Sequence, residues 1–368
     1  MVNDNDFKHS ASKDLYMTDS ALRLRVVAST PISEELIGRV VAAEPRIDFI
    51  RDQALLPPMR FPGDHSGDPA FHRNVAEQRR FEELVNSGDA LYGVPDCQPA
   101  SLARAVNGNS RLRWVQTMAA GGGAKVKAAQ LSDEQLQRVA FSTSAGVHAR
   151  PLAEYAVFGL LAGAKTLPRL LAQQQQRRWA RRWTMKQISG QKILIIGLGS
   201  IGRATALMLT ALGATVIGTS RRDQVVEGVD EVIRMDQLVE AAGRADGIVV
   251  ALPGTTATEK LLGDAFFAAV RPGTTLVNVG RGTVIDEVAL IRALDDGRIA
   301  FAALDVFAHE PLDPTSPLWQ HPSVLISPHT AALEDDEDQL IAELFARNAT
   351  RLLDGLPLIN RVNTVEFY

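Results

Sequence analysis

The sequence predicts an α/β protein in which a doubly wound parallel sheet follows a smaller open α/β portion. Three observations predict it. Between residues 192 and 330, short apolar runs recur without polar alternation and are separated by helical segments. Such runs suit strands covered by helices on both faces, and right-handed crossovers then make the sheet parallel. One run passes through a glycine-rich turn straight into a helix. The chain has 368 residues, 46% hydrophobic and 22% charged, which suits two domains of ordinary size with well-filled cores.

Leu24-Arg-Val-Val-Ala28 reads as a first buried strand, and Ser33 as the cap of a helix with Glu34 and Glu35 in its first turn. Proline, glycine and charge mark 57–69 as a surface loop. Ala90-Leu-Tyr-Gly-Val94 and Leu112-Arg-Trp-Val-Gln116 read as further strands. Gly121-Gly-Gly123 is backbone free to take unusual angles or to approach a ligand closely. Residues 151–171 read as a single alanine-rich helix, long enough to lie between domains. It runs into the basic stretch 173–182, which is a solvated helix end or a subunit-contact arm. Strands follow at 193–196, 215–218, 247–252, 275–279, 300–305 and 324–327, and an amphipathic helix at 335–353.

Several function classes are disfavoured. A net charge of −4 gives no electrostatic footprint for general nucleic-acid binding. No apolar run approaches the roughly 18 residues of a membrane span. The seven histidines show no metal-ligand spacing, so no metal is expected. A lone cysteine, Cys97, suits a reducing compartment, and the cytoplasm is the expectation. Residues 1–20 are polar and lack the apolar stretch of a secretory signal; they read as a loose tail, with Met17 an alternative start.

Gly197-Leu-Gly-Ser-Ile-Gly202 follows the strand at 193–196 and opens a helix at 201–212. In that context Gly197 allows the tight turn, Gly199 lets backbone approach a pyrophosphate, and Gly202 lets helix and strand pack closely. Ser200 and Ile201 present first-turn N–H groups to the phosphates. The second strand runs Val216-Ile-Gly-Thr-Ser-Arg-Arg222, with no acid at its end before Asp223. A carboxylate there would bond the ribose 2′-hydroxyl of NAD, whereas Arg221 and Arg222 beside Ser220 suit a 2′-phosphate. NADP(H) is therefore preferred over NAD(H).

Three local sequences each place a reactive side chain just past a strand. They are Asn278-Val-Gly-Arg-Gly282, Asp305-Val-Phe-Ala-His-Glu-Pro-Leu312 and Ser327-Pro-His-Thr330. Ligands of open α/β sheets bind beyond the carboxyl ends of strands, so the three converge on one crevice. Arg281 can clamp a carboxylate and polarise its neighbouring carbonyl. His329 can exchange a proton, and Glu310 can fix its tautomer and raise its pKa. His309 is the rival to His329.

These motifs, with Leu252-Pro-Gly-Thr-Thr-Ala-Thr258 and the ending Asp354-Gly-Leu-Pro-Leu-Ile-Asn360, resemble the D-isomer-specific 2-hydroxyacid dehydrogenases, the group of glyoxylate/hydroxypyruvate reductases and phosphoglycerate dehydrogenase. The resemblance implies two Rossmann-like domains. Residues 151–332 would be the dinucleotide-binding domain, and 1–150 completed by 333–368 a smaller, discontinuous, flavodoxin-like substrate domain. It implies that Arg281 binds the substrate carboxylate and carbonyl, that Glu310 orients His329, and that His329 is the general acid/base. It also implies that Asp305 lies near the nicotinamide amide and that Leu252, Pro253, Thr258 and Val279 line the cofactor cleft. Trp114-Val-Gln-Thr-Met-Ala-Ala-Gly121 is similar to the family's substrate loop, which makes Ala120 and Gly121 substrate-binding candidates. A homodimer with its arm in 151–183, acting on a small 2-keto or 2-hydroxy acid, is implied too. Two rival readings stay open: an NAD(H)-sensing corepressor on the same fold, and an NAD-dependent enzyme like phosphoglycerate dehydrogenase. A Rossmann-type enzyme of other chemistry, such as a methyltransferase, is a third.

Overall fold

The computed structural model describes residues 23–221, 224–365 and 367, so the 1–20 tail expected from the sequence lies outside them. Two parallel sheets flanked by helices make up the protein. The first holds β1 (Leu24–Ala28), β2 (Ile47–Ile50), β3 (Ala90–Tyr92), β4 (Trp114–Gln116) and β5 (Ala140–Ser142), in the order β2-β1-β3-β4-β5. That order is the flavodoxin-like one. Helices α1 (Glu34–Ala43), α2 (Val75–Val85), α3 (Pro99–Gly108), α4 (Gly123–Ala128) and α5 (Asp133–Arg138) lie between its strands in sequence.

Helices α6 (Ala149–Ala164) and α7 (Leu167–Gln175) lead to the second sheet, which runs β12-β11-β10-β9-β6-β7-β8. Its strands are β6 (Lys192–Ile196), β7 (Thr215–Thr219), β8 (Glu231–Ile233), β9 (Gly247–Val250), β10 (Thr274–Asn278), β11 (Ile299–Leu304) and β12 (Val324–Ile326). Helices α8 (Ser200–Ala211), α9 (Leu238–Ala242), α10 (Asp264–Ala269) and α11 (Glu287–Asp295) connect them, and α12 (Glu337–Leu353) follows the last strand. Strand order reverses between β6 and β9, and a crevice opens at such a switch point.

The apolar runs become the buried strands expected of them: Ile193 to Ile196 and Ile248 to Val250 are all at 0% exposure. The long helix α6 packs on α8, β10 and β11. The return helix α12 does the opposite and packs on α1 of the first sheet. Ile341, Phe345 and Ala349 repeat every four residues, so they form one stripe, and all belong to the core around β1, β3 and β4. Phe345 stacks on Trp114 with centroids 4.5 Å apart and meets Tyr92 edge-on at 5.1 Å.

Four local expectations are corrected. The strands foreseen at 90–94 and 112–116 are only three residues long each. Three further short strands, β2, β5 and β8, have no counterpart in the sequence reading. The single helix foreseen over 151–171 is two, because Thr166 turns left-handed (φ 53°) and Pro168 starts afresh in the first turn of α7. Gly121–Gly123 take no positive φ; what they supply is room, since a Cβ on Gly122 would fall 1.7 Å from Thr117 Oγ1.

The aromatic contact of α12 gives a direct test. Phe345→Ala should cost about 3–5 kcal/mol of stability, read by urea denaturation followed through tryptophan fluorescence.

Candidate active site

Strands β12, β11 and β10 are parallel neighbours, so the segments that leave their carboxyl ends emerge side by side. His329 follows β12, Glu310 follows β11 and Arg281 follows β10. The outer two strands are two spacings, about 10 Å, apart. His329 Nδ1 meets Glu310 Oε2 at 2.7 Å, which leaves the other ring nitrogen of the half-exposed imidazole for a ligand. Glu310 is itself held, since its Oε1 accepts the Phe307 amide at 3.0 Å. His309, the rival, is exposed, and its neighbour Glu310 is engaged with His329.

His329 sits in a left-handed backbone conformation (φ 55°), which a side chain rarely adopts unsupported. The support is Asp305, 1% exposed. Its Oδ1 accepts the Ser327 hydroxyl at 2.6 Å and the amides of Thr330 and Ala331 at 3.0 Å, and its backbone carbonyl accepts the His329 amide at 2.9 Å. Tyr155 of α6 lies against this loop. Burial, with the Asp305 charge adding to it, pushes its phenol up to about 12. Sequence reasoning gave Ser327 and Tyr155 no part here.

Arg281 is exposed, and among the described residues no carboxylate pairs with it. Its Nη1 donates to the Gly280 carbonyl at 2.7 Å. Its Nη2 would lie 2.8 Å from a Cβ on Gly121, so the loop after β4 reaches across to the loop after β10. Ala120 is exposed beside it. Asn278, 1% exposed, shapes this turn by accepting the Gly280 amide and donating to the Arg281 carbonyl. Glu287 ties it to the neighbouring loop by accepting the Ala308 amide at 2.8 Å. An acid in the first turn of α11 reads locally as helix chemistry, so only the tertiary structure reveals that contact.

The nucleotide end of the crevice lies at the turn between β6 and α8. Gly197 has φ 106°, a turn that glycine permits, and a Cβ on Gly202 would collide with the Gly197 carbonyl at 2.0 Å. The Gly197 amide donates to Thr219 Oγ1 at 2.9 Å, which locks the turn to β7. Gly199 precedes α8 with no side-chain cap, and a Cβ there would meet nothing within 4 Å. The first-turn amides of Ser200, Ile201 and Gly202 therefore face open space at the positive end of a helix. Leu252 packs beside Gly197 and Val279 is buried at 2%. Pro253 is exposed, and its carbonyl accepts the Thr258 hydroxyl at 2.7 Å. Ser220 is half-buried and Arg221 exposed at the end of β7; Arg222 lies outside the described residues. The residues present fit a dinucleotide.

An open parallel sheet with a dinucleotide cradle at its switch point, and an imidazole, its carboxylate and a guanidinium alongside, defines a nicotinamide-dependent oxidoreductase. Residues 157–331 match the family described as D-isomer specific 2-hydroxyacid dehydrogenase, NAD binding domain. Glyoxylate/hydroxypyruvate reductase A of Serratia proteamaculans is 34% identical over 211 residues, 56% of this chain and 67% of that protein. The crystal structure of a D-isomer specific 2-hydroxyacid dehydrogenase from Xanthobacter autotrophicus Py2 with NADPH and MES superposes with a TM-score of 0.74 at 27% identity, covering 94% of this chain and all of the other. That of the NADPH-dependent glyoxylate/hydroxypyruvate reductase from Sinorhizobium meliloti, with NADP and sulfate, gives 0.73 at 26%, over 94% and 100% of the two chains. The chain belongs to the D-isomer specific 2-hydroxyacid dehydrogenase family, and it is an NAD(P)-dependent oxidoreductase.

Asp305→Ala removes one acceptor from three donors in a buried loop. A stability loss of about 2–4 kcal/mol is expected, measured by thermal and urea unfolding; a loss under the error of either method would mean that the loop is held by other contacts.

Proposed function

We propose that the protein reduces a short 2-keto acid with NADPH, with glyoxylate or hydroxypyruvate as the leading substrates. The observation that carries this reading is the 2.7 Å contact of His329 Nδ1 with Glu310, beside an arginine that pairs with no carboxylate among the described residues. In it Arg281 binds the substrate carboxylate and its keto oxygen, aided by backbone N–H groups of the Ala120–Gly121 loop. The Glu310 carboxylate keeps a proton on His329 Nδ1, so Nε2 of the protonated ring delivers the other proton to the keto oxygen. The carboxylate also compensates the imidazolium charge until that proton leaves. Asp305 holds the ring on its loop and stands near the nicotinamide amide.

The cofactor would be held by Gly197, Gly199, Ser200, Ile201 and Gly202 at the pyrophosphate, and by Leu252, Pro253, Thr258 and Val279 along the cleft. Ser220, Arg221 and Arg222 would take the 2′-phosphate. Bound in its reduced form, it supplies the hydride that the keto carbon accepts. The absence of an acid from 215 to 221 supports NADPH over NADH, because a carboxylate would repel a 2′-phosphate. Residues 1–150 with 333–368 would form the substrate unit and 151–332 the dinucleotide unit. Their closure would exclude water from the reacting atoms. We assign segment 151–183 to contact a second copy; its Trp179 is fully exposed, with Leu171 47% exposed nearby.

His329→Ala should lower kcat by about 10²–10⁴-fold with the dissociation constant of NADPH unchanged; equal turnover would remove the proposed acid. Arg281→Ala should raise the KM for the keto acid by roughly 10–100-fold, seen in steady-state kinetics. Rates with NADPH and NADH across glyoxylate, hydroxypyruvate and bulkier keto acids test cofactor and substrate together. No turnover with any of them would leave the sensor reading standing.

A further inference from the structure

Away from that site, Glu337 opens α12 with its side chain 4% exposed, and two imidazoles face it. His148 Nε2 stands 2.9 Å from Glu337 Oε1, and His65 Nε2 stands 3.5 Å from the same oxygen. His65 Nδ1 stands 3.8 Å from Asp338 Oδ1. Glu337 Oε2 and both nitrogens of His65 are buried without a hydrogen-bond partner. Among the described residues no group of three such side chains is arranged to hold a metal ion. The turn that carries His65 is pressed onto α12: the Gly63 amide donates to Asp338 Oδ2 at 3.1 Å, and a Cβ on Gly63 would fall 2.5 Å from Glu337 Oε2.

The three residues come from distant parts of the chain, and their placement has a mechanical meaning. The chain passes between the two sheets twice, out through α6 and back into α12. His148 immediately precedes α6, Glu337 is the first residue of α12, and His65 lies on the loop between β2 and α2. Any rotation of one sheet against the other must be absorbed at those two crossings. The substrate loop is tied to the same place, because the Ser144 hydroxyl donates to the Thr117 carbonyl at 3.1 Å.

We propose that His65, Glu337 and His148 form a charge-dependent pin across both crossings, a positioning device that holds the Ala120–Gly121 loop against Arg281 while the imidazoles are protonated. Its effect on catalysis rests on the proposed function; the pin itself does not. A buried carboxylate is costly unless a cation answers it. Burial pushes Glu337 up, but His148 and His65 more than offset this and hold its carboxyl at about 2. The dipole of α12 also favours a negative first residue. Glu337 therefore contributes stability above its ordinary value and loses it only as pH falls toward 2. Because Glu337 stays charged, the contact is strong only when an imidazole carries a charge to answer it.

The other groups facing the cluster leave that role to the histidines. Asp338 is a second acid and adds to the demand for a cation. Burial, with the charges of Asp338 and Glu337 adding to it, pushes the Tyr92 phenol far up, so it stays neutral. Arg60 is engaged by Asp64 at 2.7 Å. Protonated imidazoles thus answer the Glu337 charge at 2.9 and 3.5 Å, and neutral ones do not.

Hydrogen exchange by mass spectrometry on the full chain tests this at about pH 6 and about pH 8.5, corrected for intrinsic rates. Peptides covering 60–67, 144–150 and 333–340 should exchange about tenfold faster at the higher pH. Glu337→Gln and, separately, His148→Gln should give the fast rate at both values. Equal protection of the unaltered protein at both pH values, or a pH difference kept in Glu337→Gln, would overturn the pin. In kinetics the variant is compared with the unaltered protein at the same pH, so that His329 acts equally on both: at about pH 6 Glu337→Gln should show a higher KM for the keto acid with kcat little changed, and at about pH 8.5 the two KM values should converge. Equal KM values for the two proteins at the lower pH would overturn the positioning role. If the protein turns over no keto acid the proposed function falls, and the exchange data still decide the pin. His65→Gln, which removes only the longer contact, serves if the other variants do not fold.

Discussion

Everything at the proposed reaction centre depends on how Asp305 spends one carboxylate oxygen. Three donors from 327–331 converge on Oδ1, and the backbone carbonyl of the same residue takes a fourth. These bonds hold His329 in a left-handed conformation that its own side chain disfavours. An imidazole held this way cannot wander, so its contact with Glu310 can be short without costing much further ordering. The strain is local, and the bonds that offset it are buried. Buried, charge-assisted bonds of this kind are stronger than their surface counterparts.

How much of this was legible in the sequence follows from how local each determinant is. The turn at Gly197 was readable because the three glycines, the strand before and the helix after all lie within twenty residues. Strands β6, β9, β10 and β11 were readable because burial on both faces leaves an unbroken apolar run. Strands β2, β5 and β8 were not, being three or four residues long with partly exposed or polar positions such as Asp48 and Glu231. The left-handed Thr166 that splits the long helix carries no local mark beyond Pro168. Flavodoxin-like order came only through the resemblance, since pairing of β1 with both β2 and β3 is a long-range fact.

The side chains of the candidate site divide in the same way. Arg281, Glu310 and His329 were recoverable because each sits just past a strand whose end was already placed. Asn278 and Glu287, which shape and tie the Arg281 turn, were hidden because their partners are backbone groups. The His65–Glu337–His148 cluster was beyond reach: its members are separated by 83 and 189 positions (148 − 65 and 337 − 148), and nothing near any of them signals the others.

The imidazole and the guanidinium of the candidate site differ in their partners. His329 has an acid within hydrogen-bond distance, whereas Arg281 has none among the described residues. Arg244 has Glu231 at 2.9 Å and Arg292 has Asp264, whereas Arg203 and Arg298, like Arg281, donate to backbone carbonyls. A guanidinium left without an acid at a strand end, in contact range of Gly121, is a site whose missing charge a substrate carboxylate would supply. Binding would then neutralise Arg281 and at the same time join the loop after β4 to the loop after β10. On that reading the two sheets are coupled through the substrate on one side and through Glu337 on the other. The first coupling depends on substrate and the second on protons, so affinity for a keto acid and the pH of the medium act on the same motion.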